Sequence, residues 1–150
     1  MKALVVYDSV FGNTERLAQT LGRALGLDDA GVLRAGSVAA EQLAGVELLI
    51  VGSPTRGFRP TPATTAFLKG IAAGGLKGVK VAAFDTRISV QDAGSGFLRF
   101  MVRLFGYAAQ PIANRLVRKG GELVAAPEGF IVVGSEGPLK EGELARAAEW

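Results

Sequence analysis

The sequence predicts an α/β protein: one doubly wound parallel sheet with helices on both faces. Two observations predict it. Short apolar runs rich in β-branched residues alternate along the chain with amphipathic helical patterns. That alternation implies a parallel sheet, because each parallel crossover needs an intervening helix. The three loops of most distinctive composition then follow predicted strands, after Tyr7, Val51 and Phe84. In such a sheet, ligands bind beyond the carboxyl ends of the strands. The 150 residues are the usual size of one domain with one good core, so residues 1–150 are read as a single domain.

The elements follow in order. Lys2–Tyr7 is a buried strand by its apolar, β-branched and aromatic content. Leu17, Leu21 and Leu25 recur every four residues and predict a helix from Asn13 to Leu25, ended by Gly26. Gly31–Arg34 reads as an edge strand, and Ser37 as the cap of a short helix over Ala39–Leu43. Val46–Val51 is the clearest central strand and leads into "GSPTRGFRPTP". A helix starts at Pro62, where proline suits the first turn, and runs to about Ala72. Val79–Phe84 is another buried strand, with "DTR" at its end. Phe97–Tyr107 reads as a strongly apolar helix, and Pro111 interrupts it to start a second piece reaching Lys119. Leu123–Val133 holds a last strand, broken near Pro127, and Glu141–Trp150 a terminal helix. No repeat, low-complexity segment or interdomain linker stands out.

Composition excludes much chemistry. The chain has no Cys and no His. Disulfides, thiol catalysis and thiolate metal sites are ruled out, and so is the commonest general base. Redox or group-transfer chemistry would therefore fall to a bound cofactor. No apolar run reaches the roughly 20 residues that span a bilayer. The start, "MKALVVYDSV", is too short in apolar residues for a signal peptide. The expectation is a cytoplasmic protein without a transmembrane segment. The net charge of +3 is uneven: residues 91–120 carry five Lys/Arg against one Asp/Glu, and residues 121–150 carry two against six. This is either ordinary solvated helix surface or a basic patch for an acidic partner, and it is too mild to argue for nucleic acid.

The first loop raises the sharpest chemistry. In "VVYDSVFGNTERLA" a helix begins near Asn13, just after Ser9, Val10, Phe11 and Gly12. A helix start offers unpaired N–H groups and partial positive charge. Ser9 and Thr14 add hydroxyls, and Gly12 allows close backbone approach. Such a nest suits a phosphate without a lysine. The plain alternative is a tight strand–helix turn capped by Ser9 or Asn13. Neither a GxxxxGK[ST] loop nor a GxGxxG after the first strand is present.

At these residues the sequence resembles the flavodoxin family, whose pattern is an apolar strand, Thr or Ser, two residues, Gly, one residue and Thr. Ser9, Gly12 and Thr14 reproduce it, and the likeness runs the length of the chain. It implies a flavodoxin-like fold of five parallel strands in the order 2-1-3-4-5, with FMN as cofactor. Ser9, Val10, Phe11, Gly12, Asn13 and Thr14 would wrap its phosphate. Phe11 departs from the hydroxyl residue that many flavodoxins have there.

The other two loops would hold the ring. In "SPTRGFRP", Phe58 can stack on an isoalloxazine, Thr55 can bond the ribityl chain or ring edge, and Gly57 can take unusual backbone conformations. Pro54 and Arg56 complete this loop. By family likeness, the Gly57–Phe58 peptide turns toward the reduced flavin N5, and Asp85, Thr86 and Arg87 form the loop at the pyrimidine edge. The family's second aromatic clamp is not evident after Arg87. Arg56, Arg59 and Arg87 give these loops positive charge, which favours an anionic reduced flavin. A less negative second potential than that of an acidic flavodoxin is expected.

The resemblance implies an electron-transfer protein whose flavin cycles between oxidised, semiquinone and hydroquinone states. Its partners would be redox proteins, at least one of them acidic. The alternative on the same fold is an FMN-dependent NAD(P)H:quinone-type oxidoreductase. A third reading is a non-redox interaction domain that kept the fold without the cofactor. The apolar stretch Phe97–Tyr107 is either a core helix with snorkelling arginines or a docking or oligomer face.

Overall fold

A computed structural model of the chain describes residues 2–55, 59–88, 107–132 and 138–150. Its elements are β1 (Ala3–Tyr7), α1 (Asn13–Ala24), β2 (Val32–Arg34), β3 (Leu48–Pro54), α2 (Pro62–Gly70), β4 (Lys80–Ile88), α3 (Ala109–Arg118), β5 (Glu122–Leu123), β6 (Glu128–Val132) and α4 (Glu143–Glu149). Short 3₁₀ turns occupy Asp29–Gly31, Ala35–Ser37 and Ala40–Leu43. Arg56, Gly57, Phe58 and nearly all of the expected helix Phe97–Tyr107 lie outside the described residues.

The sheet is parallel throughout, in the order β2-β1-β3-β4, with β5 and β6 both pairing with the far side of β4. This is the expected order 2-1-3-4-5, its last strand delivered in two pieces. Pro127 sits between the pieces and has no N–H to give to the ladder. Alternation along the strands divides the core. Leu4, Val6, Leu49, Val51, Val81 and Ala83 meet α2 and α3 through Leu68, Ile112 and Leu116. Val5, Tyr7, Ile50, Ala82, Phe84 and Phe130 meet α1 and α4 through Leu17, Leu21 and Ala147.

The helix ends follow local chemistry. α1 closes with Leu27 N–H on Gly22 C=O (2.8 Å) and Gly26 N–H on Arg23 C=O (3.0 Å), the paired bonds of a Schellman ending. At α2, Thr61 caps the Thr64 N–H, and Pro62 fills the first helical position as expected. Pro111 corrects the reading of a helix start: it lies inside the first turn of α3, where no intrahelical donor is needed. Ser37 caps nothing. Instead Gln42 Oε1 accepts the Ala39 N–H at 2.6 Å, and a single 3₁₀ turn follows.

β6 presents an outer edge, and α4 seals it. Glu143 Oε2 accepts the Ile131 N–H (2.7 Å), and Arg146 Nη2 donates to the Gly129 carbonyl (2.5 Å). Arg146 also pairs with Glu143 and Glu128, each at 2.8 Å. Edge donors and acceptors satisfied in this way cannot template another chain. Beneath α4, Phe84, Phe130 and Trp150 form a triangle of edge-to-face rings with centroids 6.0–6.2 Å apart.

Candidate functional site

The parallel register brings the carboxyl ends of β1, β3 and β4 together. Tyr7 lies beside Gly52, and Ser53 and Pro54 lie beside Asp85 and Thr86. The loop Ser9–Thr14 rises from the end of β1 and enters α1. Gly12 holds the cap position with φ of 91°, a left-handed conformation that a side chain would strain. Gly12, having no side chain, contributes no cap of its own. A Cβ built on Gly12 would meet nothing within 4 Å, so it is the positive φ and not crowding that favours glycine there. The Gly12 N–H donates to Ser9 Oγ at 3.0 Å, and the Ser9 N–H to Asp8 Oδ1 at 2.9 Å. Ser9 thus shapes the turn as an acceptor while its hydroxyl proton can serve a ligand. Val10 and Phe11 are about half exposed at the loop tip, and Asn13 is partly buried.

Thr14 is buried and reaches inward, its Oγ1 3.0 Å from Thr86 Oγ1. That contact joins the first loop to the third. The second loop joins as well, through the Thr55 N–H on Thr86 C=O (3.0 Å) and Thr55 Oγ1 accepting the Ala108 N–H (3.2 Å).

Two boundaries need correction. Asp85, Thr86 and Arg87 are not a loop: β4 continues to Ile88, paired with β3 on one side and β6 on the other. Likewise β3 continues through Gly52 and Ser53 to Pro54. Strand alternation then separates Asp85, Thr86 and Arg87. Thr86 faces Thr14. Asp85 and Arg87 share the opposite face and form a bidentate pair, Nε–Oδ1 and Nη2–Oδ2 both 2.6 Å. Asp85 is fully buried and also accepts the Ala109 N–H at 2.8 Å, capping the start of α3. The Arg87 guanidinium stacks 3.8 Å from the centre of the Tyr107 ring. Burial pushes the Asp85 carboxyl above its ordinary range, against the opposing pull of Arg87. The positive charge expected from Arg87 is therefore largely balanced by its own neighbour. Arg59 is exposed.

The sequence reading missed three contributors. Tyr107 and the N–H groups of Ala108 and Ala109 come from α3 and its approach. Gly129, beside Asp85 in β6, leaves room for the Arg87 guanidinium, which a Cβ there would overlap and displace from Asp85. Arg34, at the end of β2, reaches the Ser9 carbonyl at 3.0 Å. Only Arg34 left a signal: a polar residue ending a strand next to β1 must stand beside the first loop.

No family model matches the chain, and no curated protein matches it by sequence. Solved structures do match. A flavodoxin from the domain Archaea superposes with a TM-score of 0.75 at 22% identity, covering 99% of this chain and 92% of that one. Flavodoxin 1 from Bacillus cereus gives 0.76 at 17% identity over 99% and 93%. A flavodoxin from Streptococcus pneumoniae TIGR4 gives 0.68 at 20% over 98% and 92%. The chain is thus an α/β protein with a doubly wound parallel sheet. Its fold is flavodoxin-like, in strand order and along its whole length. Among the described residues no helix is long and apolar enough to cross a membrane, and no cluster of acidic residues is suited to a metal ion.

Proposed function

We propose that this chain binds FMN and carries electrons between redox proteins in the cytoplasm, at least one partner being acidic. One observation carries the reading. A helix start, entered through a left-handed Gly12, stands where the ends of β1, β3 and β4 converge. The residues fit a phosphate monoester. No residue from Ser9 to Thr14 is acidic, the helix start is electropositive, and Ser9 retains a hydroxyl proton.

Bound FMN would supply the redox chemistry that a chain without Cys or His lacks. In this reading Ser9, Val10, Phe11, Gly12, Asn13 and Thr14 hold the phosphate. Pro54, Thr55, Arg56, Gly57 and Phe58 line one side of the ring, and Asp85, Thr86 and Arg87 its polar edge. Thr14 and Thr86 act through each other, bracing the phosphate loop against β4. Asp85 fixes Arg87 and balances its charge, so any cationic tuning of the flavin rests more on Arg56 and Arg59.

The test is the visible spectrum of the purified protein, followed by FMN titration of the apoprotein. One FMN per chain, with flavin absorption bands, is expected. A colourless protein that takes up no FMN would overturn the reading. Rapid steady-state NAD(P)H oxidation with a quinone would replace the carrier role with an enzymatic one.

A further inference from the structure

Arg34 ends β2 and, by register, lies beside Tyr7, the last residue of β1. From there its guanidinium touches both ends of the Ser9–Thr14 loop. Nη1 donates to the Ser9 carbonyl at 3.0 Å and stands 3.4 Å from Asp8 Oδ1. Nη2 stands 3.3 Å from Glu15 Oε2, in the first turn of α1. The guanidinium carbon lies 5.2 Å from the centre of the Tyr7 ring. The arginine side chain is 43% exposed, so the two ion pairs are screened and weak by themselves. What they position matters more.

Ser9 is held through both of its backbone groups, which belong to two successive peptides. Asp8 takes its N–H, and Arg34 takes its carbonyl. Because a trans peptide is planar, a carbonyl turned toward Arg34 turns the Val10 N–H the opposite way. Charge gives a second consequence. Asp8 and Glu15 flank the loop and would repel a phosphate monoester, which carries roughly 1.5–2 negative charges at neutral pH. Among the described residues, Arg34 is the cation in contact with both.

We infer that Arg34 is a positioning residue for the phosphate loop: it orients the Ser9–Val10 peptide and offsets Asp8 and Glu15, so that a flavin bearing a phosphate is preferred over one without. This rests on the FMN reading above. The test measures FMN and riboflavin dissociation constants for the wild type, Arg34→Gln and Arg34→Gln/Glu15→Gln. Arg34→Gln should weaken FMN about 10- to 30-fold, the scale of one lost charge-assisted hydrogen bond. Riboflavin affinity should stay within about twofold, since the inferred effect acts only on the phosphate. Adding Glu15→Gln should recover part of the FMN loss by removing the uncompensated acid. An unchanged FMN affinity would overturn the inference, and so would equal losses for both flavins, which a merely structural role produces. A wild type that binds neither flavin would overturn the FMN reading itself, and the role of Arg34 with it.

Discussion

Replacing Asp85 by Asn tests the polar cluster at the end of β4. The change keeps the side-chain shape and removes the charge. In the wild type, the carboxylate is fully buried and accepts two hydrogen bonds from Arg87 at 2.6 Å and one from Ala109 at 2.8 Å. Asn can still accept from Ala109, but its amide meets an arginine donor with a donor. Breaking a buried pair by deleting one partner costs about 3–5 kcal/mol. Arg87 is 22% exposed and can turn partly to water, which lowers the expectation to about 2–3 kcal/mol. For a chain of this length that corresponds to a fall in Tm of roughly 5–10 °C. The elevated carboxyl pKa does not demand the opposite result, because a protonated carboxyl keeps both oxygens as acceptors toward Arg87 while the Asn amide nitrogen can only donate. Urea unfolding of the apoprotein, followed by far-UV circular dichroism, measures the loss. Asp85→Asn/Arg87→Met removes both charges and should recover at least about 1 kcal/mol of the two single losses summed. Strict additivity, or a single-mutant loss under about 0.5 kcal/mol, would refute the argued coupling.

Two further outcomes follow from contacts already described. Thr14→Val strands the buried Thr86 hydroxyl and should cost the apoprotein about 1–2 kcal/mol in urea unfolding, with Thr14→Ser restoring it; an unchanged stability with lost FMN binding would instead make the Thr14 hydroxyl a ligand donor. Hydrogen bonding from Arg146 holds the Glu143 carboxyl below its ordinary range, so its stabilisation is complete above the ordinary glutamate value and disappears as pH falls through the lower folded one. Glu143→Gln should therefore be about 1–2 kcal/mol less stable than wild type at pH 7, with the gap closing only as pH falls below the ordinary glutamate range in urea unfolding at stepped pH.

The periodic elements were legible because their signals are local. Leu17, Leu21 and Leu25 mark α1, the run to Tyr7 marks β1, and Pro62 marks the start of α2. The strand ends were not. Asp85 and Arg87 look like loop residues until they are seen to neutralise each other, which lets β4 continue into the site. Gly52, Ser53 and Pro54 look like a turn, yet the neighbouring β4 carries them as strand. The turn from the first loop into α1 was legible through Gly12 and Asn13, but the inward direction of Thr14 depends on Thr86, 72 residues away. Gly129 was invisible for the same reason: its lack of a side chain makes sense only beside Arg87.

The aromatic triangle under α4 also equips the chain with a reporter. Trp150 is the only tryptophan in the sequence, and it touches Phe84 of the central sheet and Phe130 of the sealed edge. Its fluorescence therefore monitors one event, the detachment of the last helix from the sheet. A shift of its emission to longer wavelength ahead of the loss of overall helicity would identify that helix as a separately releasing unit. A simultaneous change would show that the edge seal and the sheet melt as one.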